Sequence, residues 1–152
     1  MSNFRTALTH LSNLDVMGVS SNYDIDALPE NPGRAQLPLL LVLPIKKQED
    51  GIFQESGGAF EAIAFSDGAR TISVRVTHLL LLAPVGQSRG LRSHLPDLVT
   101  LMDNYFTALG ADVDLGGMLL EAASVKVEPE IFKMGETSYY GCAFRHRWLL
   151  EV

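Results

Sequence analysis

The stretch YYGCAFRHRWLLEV, Tyr139 to Val152, decides the fold. Every second residue (Tyr140, Cys142, Phe144, His146, Trp148, Leu150, Val152) is large and mostly apolar, whereas the other register carries Tyr139, Arg145, Arg147 and Glu151. An apolar period of two is the signature of a strand with one face in a core and the other toward water or a partner. The segment is therefore expected to be tied into a sheet, with its aromatic side inward and its guanidinium side outward.

Working back along the chain, Ala59–Ser66 and Ala69–Ala83 flank Asp67-Gly68, a strong short hairpin signal. In the second of these strands Ile72, Val74 and Val76 alternate with Thr71, Ser73, Arg75 and Thr77, but Leu79 to Leu82 is apolar in both registers. One end is expected to be covered on both faces and the other to open to solvent or a neighbour. Leu37 to Leu43 is a nearly continuous apolar strand with Pro38 at its start and Pro44 closing it, and Met118 to Glu128 reads as a further strand, in which Val125 and Val127 alternate with Lys126 and Glu128. Glu128 to Thr137 then reads as a long loop closing a second hairpin.

Two helices complete the set. Phe4, Ala7, Leu8 and Leu11 fall at helical spacing after Ser2. Leu91, Leu95, Leu98, Met102, Tyr105 and Leu109 form an apolar stripe that Ser93 caps, Pro96 opens and Gly110 stops. Between the first helix and first strand, Val19 to Gln36 is rich in Ser, Asn, Asp, Pro and Gly and reads as an extended connection. The expected fold is α+β: one domain over 1–152, with a helix and connection over 1–36 and a core over 37–152. It holds a single mixed or antiparallel sheet of about five strands and two helices packed mainly on one face.

Composition narrows the function. The 152 residues bury roughly 70% of their unfolded surface without crosslinks or metals. With 47% hydrophobic residues the chain is apolar enough to hold surface in reserve for a subunit, and a formal charge of -6 argues against gripping nucleic acid by phosphate neutralisation. The single cysteine, Cys142, lies in the apolar register and reads as a small buried hydrophobe. No signal peptide is visible in MSNFRTALTHLSNLD, and the apolar runs are too short to span a bilayer.

Catalytic signatures are sparse, and no HExxH, GxSxG or P-loop pattern occurs. His78 and His146 share core-side registers of neighbouring strands, which admits a metal or acid-base pair in a small ligand-binding protein or enzyme; two satisfied structural imidazoles are the plainer expectation. Gly86-Gln87-Ser88-Arg89-Gly90 reads as a flexible turn rather than an anion cradle. The acids Asp15, Asp24, Asp26, Glu30, Asp112 and Asp114 lack the ordered spacing of a calcium loop. Arg145 and Arg147 share one face of the last strand and, with Arg75 as a further interface candidate, make a basic stripe suited either to a neighbouring subunit's carboxylates or to a solvated sheet face. Lys46 to Gly58, with Lys46, Lys47, Glu49 and Asp50 near its start, reads as a mobile loop.

THLLLLAPVG (Thr77 to Gly86), the helical LVTLMDNYFTAL and the closing YYGCAFRHRWLLEV together resemble the tail-completion or tail-terminator proteins of long-tailed bacteriophages. The resemblance covers roughly Leu37 to Val152 in element order, lengths and final strand. It implies a non-enzymatic virion protein, without cofactor or metal, that forms a homo-oligomeric, hexameric ring. Its implied partners are the tail tube protein and the neck or connector proteins. DNA would pass through without sequence-specific binding, and no membrane is involved. The implied location is the virion tail, assembled in the bacterial host cytoplasm.

Overall fold

The computed structural model describes residues 3–44, 60–66, 69–86 and 90–151. In chain order the elements are α1 (Asn3–Ser12), β1 (Ser21–Tyr23), a 3-10 turn (Arg34–Gln36), β2 (Leu39–Leu43), β3 (Phe60–Ser66), β4 (Ala69–Pro84), α2 (Leu91–Gly110), β5 (Ser124–Met134) and β6 (Thr137–Glu151). The fold is α+β, built on one mixed sheet of six strands in the order β1-β2-β4-β6-β5. Strand β4 is long enough to carry two partners on one edge, β3 along Ala69 to Val74 and β2 along Thr77 to Leu81. Its other edge pairs with β6 from Thr71 to Pro84. Only β1, which lies parallel to β2, breaks the antiparallel pattern.

The sheet has two unlike faces. On one, Leu40, Val42, Val74, Val76, Leu80, Phe144, Trp148 and Leu150 pack with Leu8 and Leu11 of α1 and with Leu98, Leu101 and Tyr105 of α2. Both helices therefore sit on this face, as their apolar spacing requires. On the other, Leu39, Leu41, Leu79, Leu81, Phe132, Tyr139 and Ala143 form a second cluster with Tyr23, Leu28 and Leu37 against it. That cluster covers one half of the face, so Leu79 to Leu82 are buried whichever way they point. The far half, around Arg75, is open.

Three expectations are corrected. The Val19–Gln36 connection contains β1 and a 3-10 turn, and it roofs the second cluster rather than running free. The last hairpin has no long loop, and its first strand is shifted along the chain: β5 begins at Ser124 rather than Met118 and continues to Met134, Met134 pairs with Thr137, and Gly135 takes φ 64 in a two-residue turn. Pro129 looks like a strand breaker in sequence, but β5 lies at the sheet edge, where a missing N–H is tolerated. Finally, α2 begins after Gly90 and Ser93 does not cap it, so Pro96 lies inside the helix rather than in its first turn. Asp67 and Gly68 lie outside the described residues; the strands on either side, β3 and β4, pair antiparallel, with Ser66 opposite Ala69. Among the described residues no helix is long and apolar enough to cross a membrane.

Candidate functional site

The inward register of β4 and β6 places His78 and His146 beneath α2, from which Tyr105 descends between them. Tyr105 Oη lies 2.8 Å from His78 Nδ1 and 2.6 Å from His146 Nε2. At one end Trp148 Nε1 donates to His146 Nδ1 at 3.1 Å. At the other, His78 Nε2 meets Asn22 Oδ1 at 2.9 Å, and Asn22 Nδ2 donates to the carbonyls of Leu11 and Leu14, each at 3.2 Å.

The ends fix the direction of every bond. An indole N–H only donates and a carbonyl only accepts. His146 therefore accepts at Nδ1 and donates from Nε2 to Tyr105, Tyr105 donates to His78 Nδ1, and His78 donates from Nε2 to Asn22. Both imidazoles are neutral Nε2–H tautomers. Burial holds His146 down at about 3 and, with His146 beside it, holds His78 well below its ordinary value; burial likewise raises the Tyr105 hydroxyl. With His78 at 0% and His146 at 1% exposure and no acid among these partners, the cluster is a satisfied structural network. It ties α1, β1, β4, α2 and β6 to one another. Tyr105 also stacks on Phe144, ring centroids 3.6 Å apart and planes 8° from parallel.

The other sequence candidates fall into place around this core. Cys142 is buried, its thiol pushed up to about 12 by burial, which suits a packing role. Asp24 takes Arg5 at 2.8 Å and Asp26 takes it at 3.2 Å. Burial pushes the Asp24 carboxyl up, but Arg5, the Ile25 N–H and Thr9 together outweigh it and hold that group low. Asp112 and Asp114 accept from the backbone N–H groups of Gly116 and Gly117. No group of three potential metal ligands occurs among the described residues. Lys46, Lys47, Glu49 and Asp50, and the turn residues Gln87 to Arg89, lie outside the described residues.

On the sheet face away from the helices, the open half of β4, β6 and β5 assembles the cations. Arg75 stands directly opposite Arg147, Thr77 opposite Arg145, and on β5 Ser124 is level with Arg147 and Lys126 with Arg145. These six residues line a cleft of about 270 Å³. Arg75, Arg147 and Lys126 are exposed, but the Arg145 side chain is only 13% exposed and its Nε donates to Glu128 at 2.5 Å. Lys126 holds the other Glu128 oxygen at 3.0 Å. Burial pushes the Glu128 carboxyl up, and Arg145 with Lys126 more than offsets this, leaving it below the usual range.

A further surface lies in the helix layer. Leu98, Leu101, Tyr105 and Leu109 are the buried residues of α2, whereas Leu91, Leu95, Val99 and Phe106 are 46–52% exposed. Leu91 and Leu95 thus leave the core stripe in which their spacing placed them. The outward four share one flank of the helix, and Phe106 leans edge-on over Phe144 at 6.2 Å. Asn104, on the opposite flank, donates to the Met17 carbonyl. The signal was present in sequence: with Val99 and Phe106 counted, the apolar arc of α2 is wider than one core-facing stripe.

A scan against protein-family models finds no match to this chain, and a search of curated proteins finds no significant relative.

Proposed function

We propose that the chain is a structural virion subunit of a phage or prophage tail, of the kind that terminates or completes the tail tube, and that it works by self-association rather than catalysis. The observation that carries this reading is the pair of unlike surfaces on opposite layers: the apolar flank Leu91, Leu95, Val99 and Phe106 on α2, and the cationic cleft on the sheet, where Arg75 and Arg147 are exposed above the half-buried Arg145. Closed rings are built from heterologous contacts, in which two different patches of each subunit meet head to tail. A protein whose buried polar side chains, among the described residues, are satisfied, yet which leaves four large apolar side chains along one helix flank, has surface suited to a partner.

The proposed partners are further copies of the chain, in a hexamer by the resemblance, together with the tail tube and the neck or connector proteins. DNA would pass the assembled ring without sequence-specific contact. The proposed setting is the virion tail. The burial of His78 and His146 and the hydrogen bonds at both nitrogens of each count against the competing reading as a ligand-binding protein or enzyme that uses them. Negative-stain imaging of the purified chain at raised concentration, alone and mixed with assembled tail tubes, tests the proposal. Rings, and rings at tube ends, are the expected result; particles of one subunit's size that ignore tube ends would contradict it.

A further inference from the structure

We infer that the cleft between β4, β6 and β5, one of the two surfaces on which the proposed assembly draws, is itself a binding site for a phosphate group. Like charges directly opposite on neighbouring strands destabilise a sheet, and Arg75 faces Arg147 in the register. Lys126 and Arg145 follow one step along the same face, so four cations line one cleft of about 270 Å³. Glu128 is the carboxylate held by Arg145 and Lys126, with one oxygen toward each. Its charge and both its oxygens are engaged on the β5 side of the cleft. Arg75 and Arg147 have local interactions of their own, so a ligand would draw on their position and charge, not on idle side chains.

The chemistry selects phosphate over a single carboxylate. One planar carboxylate is matched by one guanidinium fork, whereas a tetrahedral phosphate has an oxygen for each of several donors and carries up to two charges. Here guanidinium groups approach from both β4 and β6, and the hydroxyls of Thr77 and Ser124 stand at the same levels as donors. The cleft is small by the standard of drug-sized ligand pockets, which suits a phosphate group rather than an extended apolar body. A small molecule and a nucleic-acid backbone both offer such a phosphate; the recognising chemistry is the same.

Calorimetric titration of the full chain tests this, using inorganic phosphate in one arm and a short single-stranded DNA oligonucleotide in the other, with sodium chloride matching ionic strength. The variants are Arg75→Gln, Arg147→Gln and, as a control of equal charge loss, Lys133→Gln, which lies exposed on β5 beyond the cleft. Saturable binding in either arm is expected, weakened at least about tenfold by each arginine change and little altered by Lys133→Gln. Binding of phosphate alone marks a small-molecule site, and tighter, arginine-dependent binding of the oligonucleotide marks a backbone contact. No heat beyond chloride in both arms, or equal weakening by Lys133→Gln, overturns the inference. Sedimentation of the same samples separates the proposals: rings without phosphate binding remove only this one, and phosphate binding by a lasting monomer removes only the ring.

Discussion

Tyr105 is the residue on which the interior turns, since its hydroxyl is at once acceptor for His146 and donor to His78. Tyr105→Phe keeps the ring stacked on Phe144 but leaves a buried acceptor and a buried donor without partners. The expected loss is on the order of 3 kcal/mol, read from denaturant unfolding. Trp148→Ala removes both the terminal donor and a large buried ring, and should cost about 3–5 kcal/mol. Acid should weaken the fold through the same network. The folded imidazoles stay neutral while the unfolded ones take up protons below about 6.5, so the unfolded state binds more protons and stability falls with pH. Each histidine contributes a slope approaching about 1.4 kcal/mol per pH unit between that value and its folded pKa, which for His146 is about 3. Unfolding midpoints measured from pH 7 to pH 5 should decline; a flat profile would show that the imidazoles are not sealed. That both histidines point inward was legible from the period-two pattern. Their partners were not, because Tyr105 lies 27 and 41 residues away on a helix and Asn22 sits in a polar connection.

The strands were more legible than their ends. Alternation located β4 and β6, but Pro129 hid the length of β5, since an isolated sequence does not say which strand lies at the edge. The helix layer shows the same limit from the other side: periodicity found α2, yet the width of its apolar arc, not its spacing, separates Leu98 and Tyr105 in the core from Leu95 and Val99 outside. Close approach of β6 to β4 is set by Gly141, where an added Cβ would stand 2.1 Å from the Leu80 carbonyl oxygen. Gly141→Ala must push main chain against main chain and should destabilise by about 1–3 kcal/mol in thermal or denaturant unfolding. The arginine stripe, expected to lie wholly outside the core, divides in two. Arg147→Glu falls on an exposed position and should leave unfolding within about 0.5 kcal/mol of wild type. Arg145→Glu sets a second carboxylate against the half-buried Glu128 and should cost on the order of 2 kcal/mol. Equal effects of the two changes would show that Glu128 does not hold Arg145.

At the scale of the whole molecule, the sheet separates an inner side, where aromatic rings and a directed hydrogen-bond chain fix the helices, from an outer side, where cations gather in one cleft. The helix layer adds its own exposed apolar flank. This arrangement of two unlike surfaces on opposite layers underlies the proposal of head-to-tail assembly. Sedimentation velocity over a concentration series, comparing wild type with the exposed double variant Leu95→Glu, Val99→Glu, tests it most directly. Wild type should shift to a discrete oligomer as concentration rises, while the variant, folded by circular dichroism and unchanged in unfolding midpoint, should remain a monomer. A wild-type chain that sediments as a monomer throughout, or a variant that assembles as well as wild type, would contradict it.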